Sequence, residues 1–193
     1  MFKKLAITAF LLAAFAAAVT RTTMAAFTSV ATNPGNAFTA ATIGISTSPT
    51  SALVTFSGMI PGDSVTNPIV VTNAPGSASL RYAVASSSTN ADGKALKDQL
   101  ALTIKTVDVT TPGTPCDNFD GTQLYTGDVD STAGKLVGDN AQGAQAGDRT
   151  LAPSASETLC FRVNLPTGTA NAYQNAATTA TFTFDAEQTV NNP

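Results

Sequence analysis

Toward its C-terminus the chain alternates with a period of two. In "ATTATFTFDAEQ", Ala180, Phe182, Phe184 and Ala186 fall on one side while Thr181, Thr183 and Asp185 fall on the other, the pattern of a half-buried antiparallel strand. "TLCFRVNL" behaves alike: Leu159, Phe161, Val163 and Leu165 form an apolar row, opposed by Cys160, Arg162 and Asn164. Upstream, "FTAATIGIS", "ALVTFSGMI", "NPIVVTNAP", "LRYAVAS" and "LALTIKTVDVT" predict further short strands, with turn signals at Pro61-Gly62-Asp63 and Pro75-Gly76. In the last of these runs the apolar phase moves from even positions (Leu100, Leu102, Ile104) to odd ones (Val107, Val109), which predicts a bulge or a strand that changes sheets. One helical turn is expected near Lys94 to Leu100. Strands this short and frequent predict an all-β, antiparallel β-sandwich of jelly-roll or immunoglobulin-like type.

Two stretches break the pattern. Between Cys116 and Cys160 the chain turns polar and Gly-rich, and is expected to form a long surface excursion. At the N-terminus, Lys3 and Lys4 precede an apolar run from Leu5 to Val19, and Thr23-Met24-Ala25 places small residues at the cleavage-determining positions. This is the pattern of a cleavable signal peptide, residues 1–25, cut between Ala25 and Ala26. The run is shorter than the roughly 20 residues a membrane-spanning helix needs. Secretion is therefore the expected fate, with no membrane association after signal removal.

Composition then narrows the function. Loss of Lys3, Lys4 and Arg21 leaves seven basic residues against thirteen acids, a formal charge of -6, so no nucleic-acid partner is expected. Charged residues make up 12% of the chain, with Ser, Thr, Asn and Gly at the polar positions, so few charges hold neighbouring molecules apart. No histidine is present, which removes Ser-His-Asp, Cys-His and HExxH arrangements. Asp128 and Asp130 have calcium-loop spacing, but Ala133 stands where the loop needs glycine and no Glu follows at position twelve. No catalytic, cofactor-binding or metal site is assigned, and the chain is read as a non-enzyme without cofactors. The two cysteines, Cys116 and Cys160, meet disulfide-tolerant surroundings on export and are expected to pair, two free buried thiols being the alternative. Because Cys160 faces away from its strand's apolar row, such a bridge would clamp a loop to the outer side of the sheet.

With these residues in view, the chain resembles the TasA and camelysin family of secreted proteins that build extracellular matrix fibres. The likeness spans nearly the whole length: the signal segment, "AAFTSVATNPGNAFTAATIGIS", "MIPGDSVTNPIVVTNAPGSASLRYAV" and "NAYQNAATTATFTFDAEQ". The resemblance implies a jelly-roll-like sandwich, residues 37–193, preceded by a donor-strand segment and hinge, residues 26–36. The mature N-terminal strand would leave its own subunit and complete the sheet of the next. Carried over here, Ala26, Phe27, Thr28, Ser29, Val30 and Ala31 form the donor strand. Camelysin members are described as metalloproteinases, an activity not carried over to a chain without histidine.

The implied partner is therefore the chain itself, as a head-to-tail homopolymer in the extracellular matrix or at the cell surface, with an accessory matrix or anchoring protein as a further partner. Head-to-tail insertion does not close on itself and so generates filaments. Asn33-Pro34-Gly35-Asn36 would act either as a hinge that releases the strand or as a turn that folds it back. The contrasting reading is a monomeric secreted adhesin that binds through the 116–160 excursion.

Overall fold

The computed structural model describes residues 40–50, 58–108, 113–130 and 134–192. The signal segment, the Ala25/Ala26 cleavage site, the Ala26 to Ala31 donor segment and most of "ALVTFSGMI" lie outside the described residues. Nine strands are described: β1 (Ile45–Ser48), β2 (Ser64–Asn73), β3 (Leu80–Ser88), β4 (Ala101–Thr106), β5 (Gln123–Asp128), β6 (Lys135–Val137), β7 (Arg149–Leu151), β8 (Ser156–Asn164) and β9 (Ala180–Gln188). A 3-10 turn at Leu96–Asp98 stands where the helical turn was expected.

Five strands form one sheet in the order β1-β2-β8-β4-β5, every pair antiparallel. The second sheet is built on β3. Along one flank β3 pairs with β9 from Leu80↔Gln188 to Ser88↔Ala180; along the other it pairs with β7 at Leu80 to Tyr82 and with β6 at Val84 and Ala85. Successive strands swap repeatedly between sheets, which gives a jelly-roll-like antiparallel sandwich. Its core is the row set that alternation marks: Leu159, Phe161 and Val163 of β8, Leu102 and Ile104 of β4, Ile69 and Val71 of β2, and Leu80, Tyr82 and Val84 of β3 are buried together. Phe182 and Phe184 of β9 pack against that cluster while staying only partly buried.

Segment 116–160 differs from expectation. It carries β5, β6 and β7, and Val129, Leu136, Val137 and Leu151 from it are buried in the core. The strands are short: β6 carries two buried core residues, β7 one, and β5 only the partly buried Leu124 and Tyr125. At β6 the pairing with β3 shifts register between Val84 and Ala85, so Leu136 and Val137 are both buried although adjacent. A two-residue period cannot be read from such a segment.

The apolar phase changes after Ile104 because Val107, beyond the end of β4, packs against the outer Cys116, Phe119 and Cys160 cluster. β4 itself keeps unbroken register with β8, and the extra residue opposite it, Leu124, lies on β5. Register against β5 shifts between Ile104 and Lys105, and the strand ends at Thr106. There Gly121 lets the chain cross closely: Thr106 N donates to Thr122 O (2.9 Å) and Thr122 N to Thr106 Oγ1 (2.9 Å). A Cβ at position 121 would lie 1.9 Å from the Thr106 carbonyl oxygen. Gly121→Ala is therefore expected to cost about 3 kcal/mol, because backbone rather than a flexible side chain must move. A urea titration followed by circular dichroism checks this; an unchanged midpoint would mean that the crossing yields freely.

The two ends of the sandwich are well defined. At the upper end residues 74–79 gather the chain: Ala74 N donates to Gly44 O, Ala78 N to Thr42 O and Thr189 N to Ser79 O. The Asn73 amide donates to the carbonyls of Ala78, Leu151 and Ala152, tying both sheets together there. At the lower end the Pro61-Gly62 turn is bonded to the exit of β8, Gly62 N to Leu165 O and Leu165 N to Asp63 O. Hence β1 runs from the upper end downward and β9 runs upward to it.

Candidate strand-acceptor site

β1 and β9 are the outermost members of their sheets on the same side of the sandwich, and neither pairs with a second strand among the described residues. Backbone geometry says which groups are left over. Thr89 N donates to Thr179 O and Thr189 N to Ser79 O, so in the β3/β9 register the odd-numbered residues of β9 bond β3. The N–H and C=O groups of Ala180, Phe182, Phe184, Ala186 and Gln188 therefore point away from β3. The same reasoning applies to β1: Ala74 N reaches Gly44 O, so even-numbered residues bond β2 and the backbone of Ile45 and Thr47 faces outward. On both edges the residues whose side chains turn inward are the ones with outward amides.

Between these edges lies an open groove of about 310 Å³ lined by Ile45, Ser46, Thr47, Phe182, Thr183 and Phe184. Its aromatic floor is fixed from below: the Phe182 ring meets Phe161 edge-on at 5.1 Å, and Phe184 lies 6.2 Å from the Tyr82 ring. Edge strands are commonly blunted by Lys, Pro or a bulge. β9 contains no Lys, Arg or Pro, and its register against β3 is unbroken over nine pairs.

The seven basic residues of the described chain are all engaged elsewhere. Arg81 pairs with Glu187, Lys97 with Asp98 and Asp130, Lys135 with Asp139, and Arg149 with Glu157. Lys94 donates to Gln174 O, Lys105 to Phe119 O and Arg162 to Thr66 Oγ1. The floor is stiffened by one such pair: the Tyr82 hydroxyl donates to Glu157, which also accepts from Arg149 at 2.6 Å. Burial first, and the adjacent Glu157 carboxylate second, push the Tyr82 hydroxyl well above the ordinary tyrosine range. It stays a neutral donor.

The expected disulfide is present. Cys116 and Cys160 are bonded, 5.5 Å apart at Cα, and form with Phe119 a small buried cluster separate from the main core. Cys160 faces outward from β8, and the Phe119 ring is stacked by Arg162 (Cζ 3.7 Å from the centroid) and Lys105 (Nζ 4.8 Å). The bridge thus fastens the 113–121 loop to the outer face of the five-stranded sheet, two strands away from β1.

Elsewhere the polar groups are structural. A cleft of about 50 Å³ beside Arg81, Asp139, Asp148, Asp185 and Glu187 looks acidic. Its carboxylates are used locally, however: Asp148 accepts from the amides of Asp139 and Gln145, and Glu187 accepts from Gly143 N. Asp128 ends β5, its carbonyl accepting from the Tyr125 hydroxyl, and Asp130 is held by Lys97. Among the described residues no group of three or more Cys, Asp or Glu is placed to hold a metal ion. Comparison with family models and with characterised proteins gave no match for this chain.

The donor segment lies outside the described residues; what the structure describes is the groove between β1 and β9. Sequence marks Phe182 and Phe184 as core-facing. It does not show that no second strand pairs with their backbone edge among the described residues, nor that Ile45 and Thr47 stand across a groove from them, because both depend on strand order.

Proposed function

We propose that this chain is a secreted structural subunit that assembles into extracellular or cell-surface fibres, the Ala26 to Ala31 strand of one subunit entering the β1/β9 groove of the next. The observation that carries the reading is the nine-residue edge of β9, uncharged at its inward positions and unpaired among the described residues, beside an aromatic-floored slot. Such an edge is a template for strand addition: backbone bonds supply affinity and alternate side-chain pockets supply selectivity. The mature N-terminus offers a short strand with Phe27 and Val30 as anchors, and a charge-poor surface makes close packing of copies inexpensive. The resemblance to matrix-fibre proteins points the same way.

The adhesin alternative is less favoured, because residues 116–151 contribute three strands and four core residues rather than a free loop. Deleting 121–148 would remove β5 and β6 and unfold the sandwich. Negative-stain electron microscopy of residues 26–193 beside a chain starting at Asn36 tests the fibre reading. Filaments from the longer chain alone, both folded by circular dichroism, are expected. Filaments from both would place the contact elsewhere, and folded monomers from both would return the chain to a binding role.

A further inference from the structure

We infer that Arg162 and Lys105, on the outer face of the five-stranded sheet, form a docking point for a tetrahedral oxyanion, a phosphate or sulfate group. The inference goes beyond the fibre reading and does not depend on it. Three observations carry it.

The first is a missing counter-charge. All thirteen Asp and Glu residues of the chain fall among the described residues, and Arg81, Lys97, Lys135 and Arg149 are ion-paired to some of them. Lys94 lies in an exposed loop beside Asp92. Arg162 and Lys105 lie together, and no acid is ion-paired to either. Asp117 and Asp120 bracket Phe119 in the sequence, yet neither forms an ion pair with these two side chains. Burial lowers the Arg162 guanidinium from its ordinary range, with no carboxylate to offset it.

The second is a set of spare donors. Arg162 Nε donates to Thr66 Oγ1 (2.8 Å), and its Nη groups have no hydrogen-bond partner among the described residues. Lys105 Nζ donates to Phe119 O (3.0 Å), which uses one of its three hydrogens. Strand register places Thr126, Thr103, Arg162 and Thr66 in one row across β5, β4, β8 and β2. A guanidinium fork, an ammonium and threonine hydroxyls are the donors that a tetrahedral oxyanion takes. That row contains no carboxylate.

The third is rigid support. Arg162 Cζ lies 3.7 Å and Lys105 Nζ 4.8 Å from the centroid of the same Phe119 ring. A neutral ring attracts a cation through its quadrupole but supplies no net charge. Phe119 itself has φ 50°, in the left-handed region that bulky residues seldom enter. It is held there between the Cys116–Cys160 bridge and the close crossing at Gly121. Backbone strain of this kind persists where the surroundings over-determine it, and it clusters at ligand clamps. The two positive charges are thus in place before a ligand arrives, and one doubly charged group neutralises both.

The experiment titrates inorganic phosphate into the chain from Ala26, by calorimetry and by melting curves at constant ionic strength with chloride as the replaced anion. At ten times the dissociation constant, phosphate is expected to raise the melting temperature by about 4 °C. Lys105→Gln and Arg162→Gln should each weaken binding about tenfold or more, while Lys94→Gln responds as the parent does. General salting effects of phosphate act on all four proteins alike. Lys105→Gln, which keeps most of its stem, decides the matter where Arg162→Gln fails to fold. Dextran sulfate forms a second arm: a response to it alone, still lost in Lys105→Gln, assigns the group to a chain, and saturation by phosphate assigns a free ion. Equal responses from all the variants, or no response of the parent to either probe, would overturn the inference.

Discussion

Phe27→Asp is expected to abolish filaments while leaving the melting temperature of the subunit unchanged. The groove floor is Phe182 and Phe184, and no basic residue of the described chain is free to meet a carboxylate there. Placing an unpaired charge on such a surface costs several kcal/mol. Taking about 4 kcal/mol, the concentration needed for assembly rises about a thousand-fold. Thr28→Asp, one position along and on the opposite face of the donor strand, serves as the control and is expected to assemble nearly as the parent does. The introduced carboxyl also gives the variant a pH signature of known sign. It is charged above its ordinary range near pH 4 and neutral below, so assembly should return on acidification. Pelleting assays across concentration and pH read both effects. Parent-like filaments from Phe27→Asp at neutral pH would remove Phe27 as the anchor.

The sequence made some of this architecture legible and hid the rest for a physical reason. β8 and β9 were readable because each is long and has one face in the core, so alternation runs through all nine residues of β9 and from Leu159 to Val163 in β8. Cys160 could be placed on the outer side of the sheet by the same alternation, before its partner's position was known. The phase change after Ile104 was visible too, but it marks Val107 turning to the outer cluster after the strand ends, and the bulge beside it lies on β5. β5, β6 and β7 were hidden in a stretch rich in Gly and Asp. β7 has a single core residue, Leu151, and β6 buries two neighbours because it carries an extra residue, Leu136, opposite the Val84/Ala85 step of β3. Short strands of this kind form only because β3 and β4 are already there to pair with them. Composition alone therefore made a core-bearing segment look like a loop.

The acceptor groove was hidden more deeply. Every residue that lines it is an ordinary strand residue, and what makes it a candidate site is that, among the described residues, no strand lies between β1 and β9. Most proteins cover or charge such an edge. Here β9 keeps alternating Phe and Thr along an edge that has no partner among the described residues, with Asp185 and Glu187 confined to the outer face and the upper end. The edge is thus suited to accept a strand. Its own side chains do nothing to repel one.

Cys116→Ser should separate folding from assembly. The bridge spans 44 residues, and in the chain-entropy description closing a loop of that length removes about 4 kcal/mol of unfolded-state freedom. For a domain of this size that corresponds to a fall in melting temperature of about 10 °C under oxidising conditions. With reductant present the variant and the parent should melt together, because the parent then lacks the bridge as well. Calorimetry of both proteins with and without reductant makes the comparison, and an equal loss in both conditions would point instead to packing around Phe119. Filaments should still form from Cys116→Ser below its melting transition. Cys160 pairs in register with Pro68 and Lys105, on the outer face of strands that do not line the groove, so the bridge stabilises the subunit without touching the surface that would join it to the next.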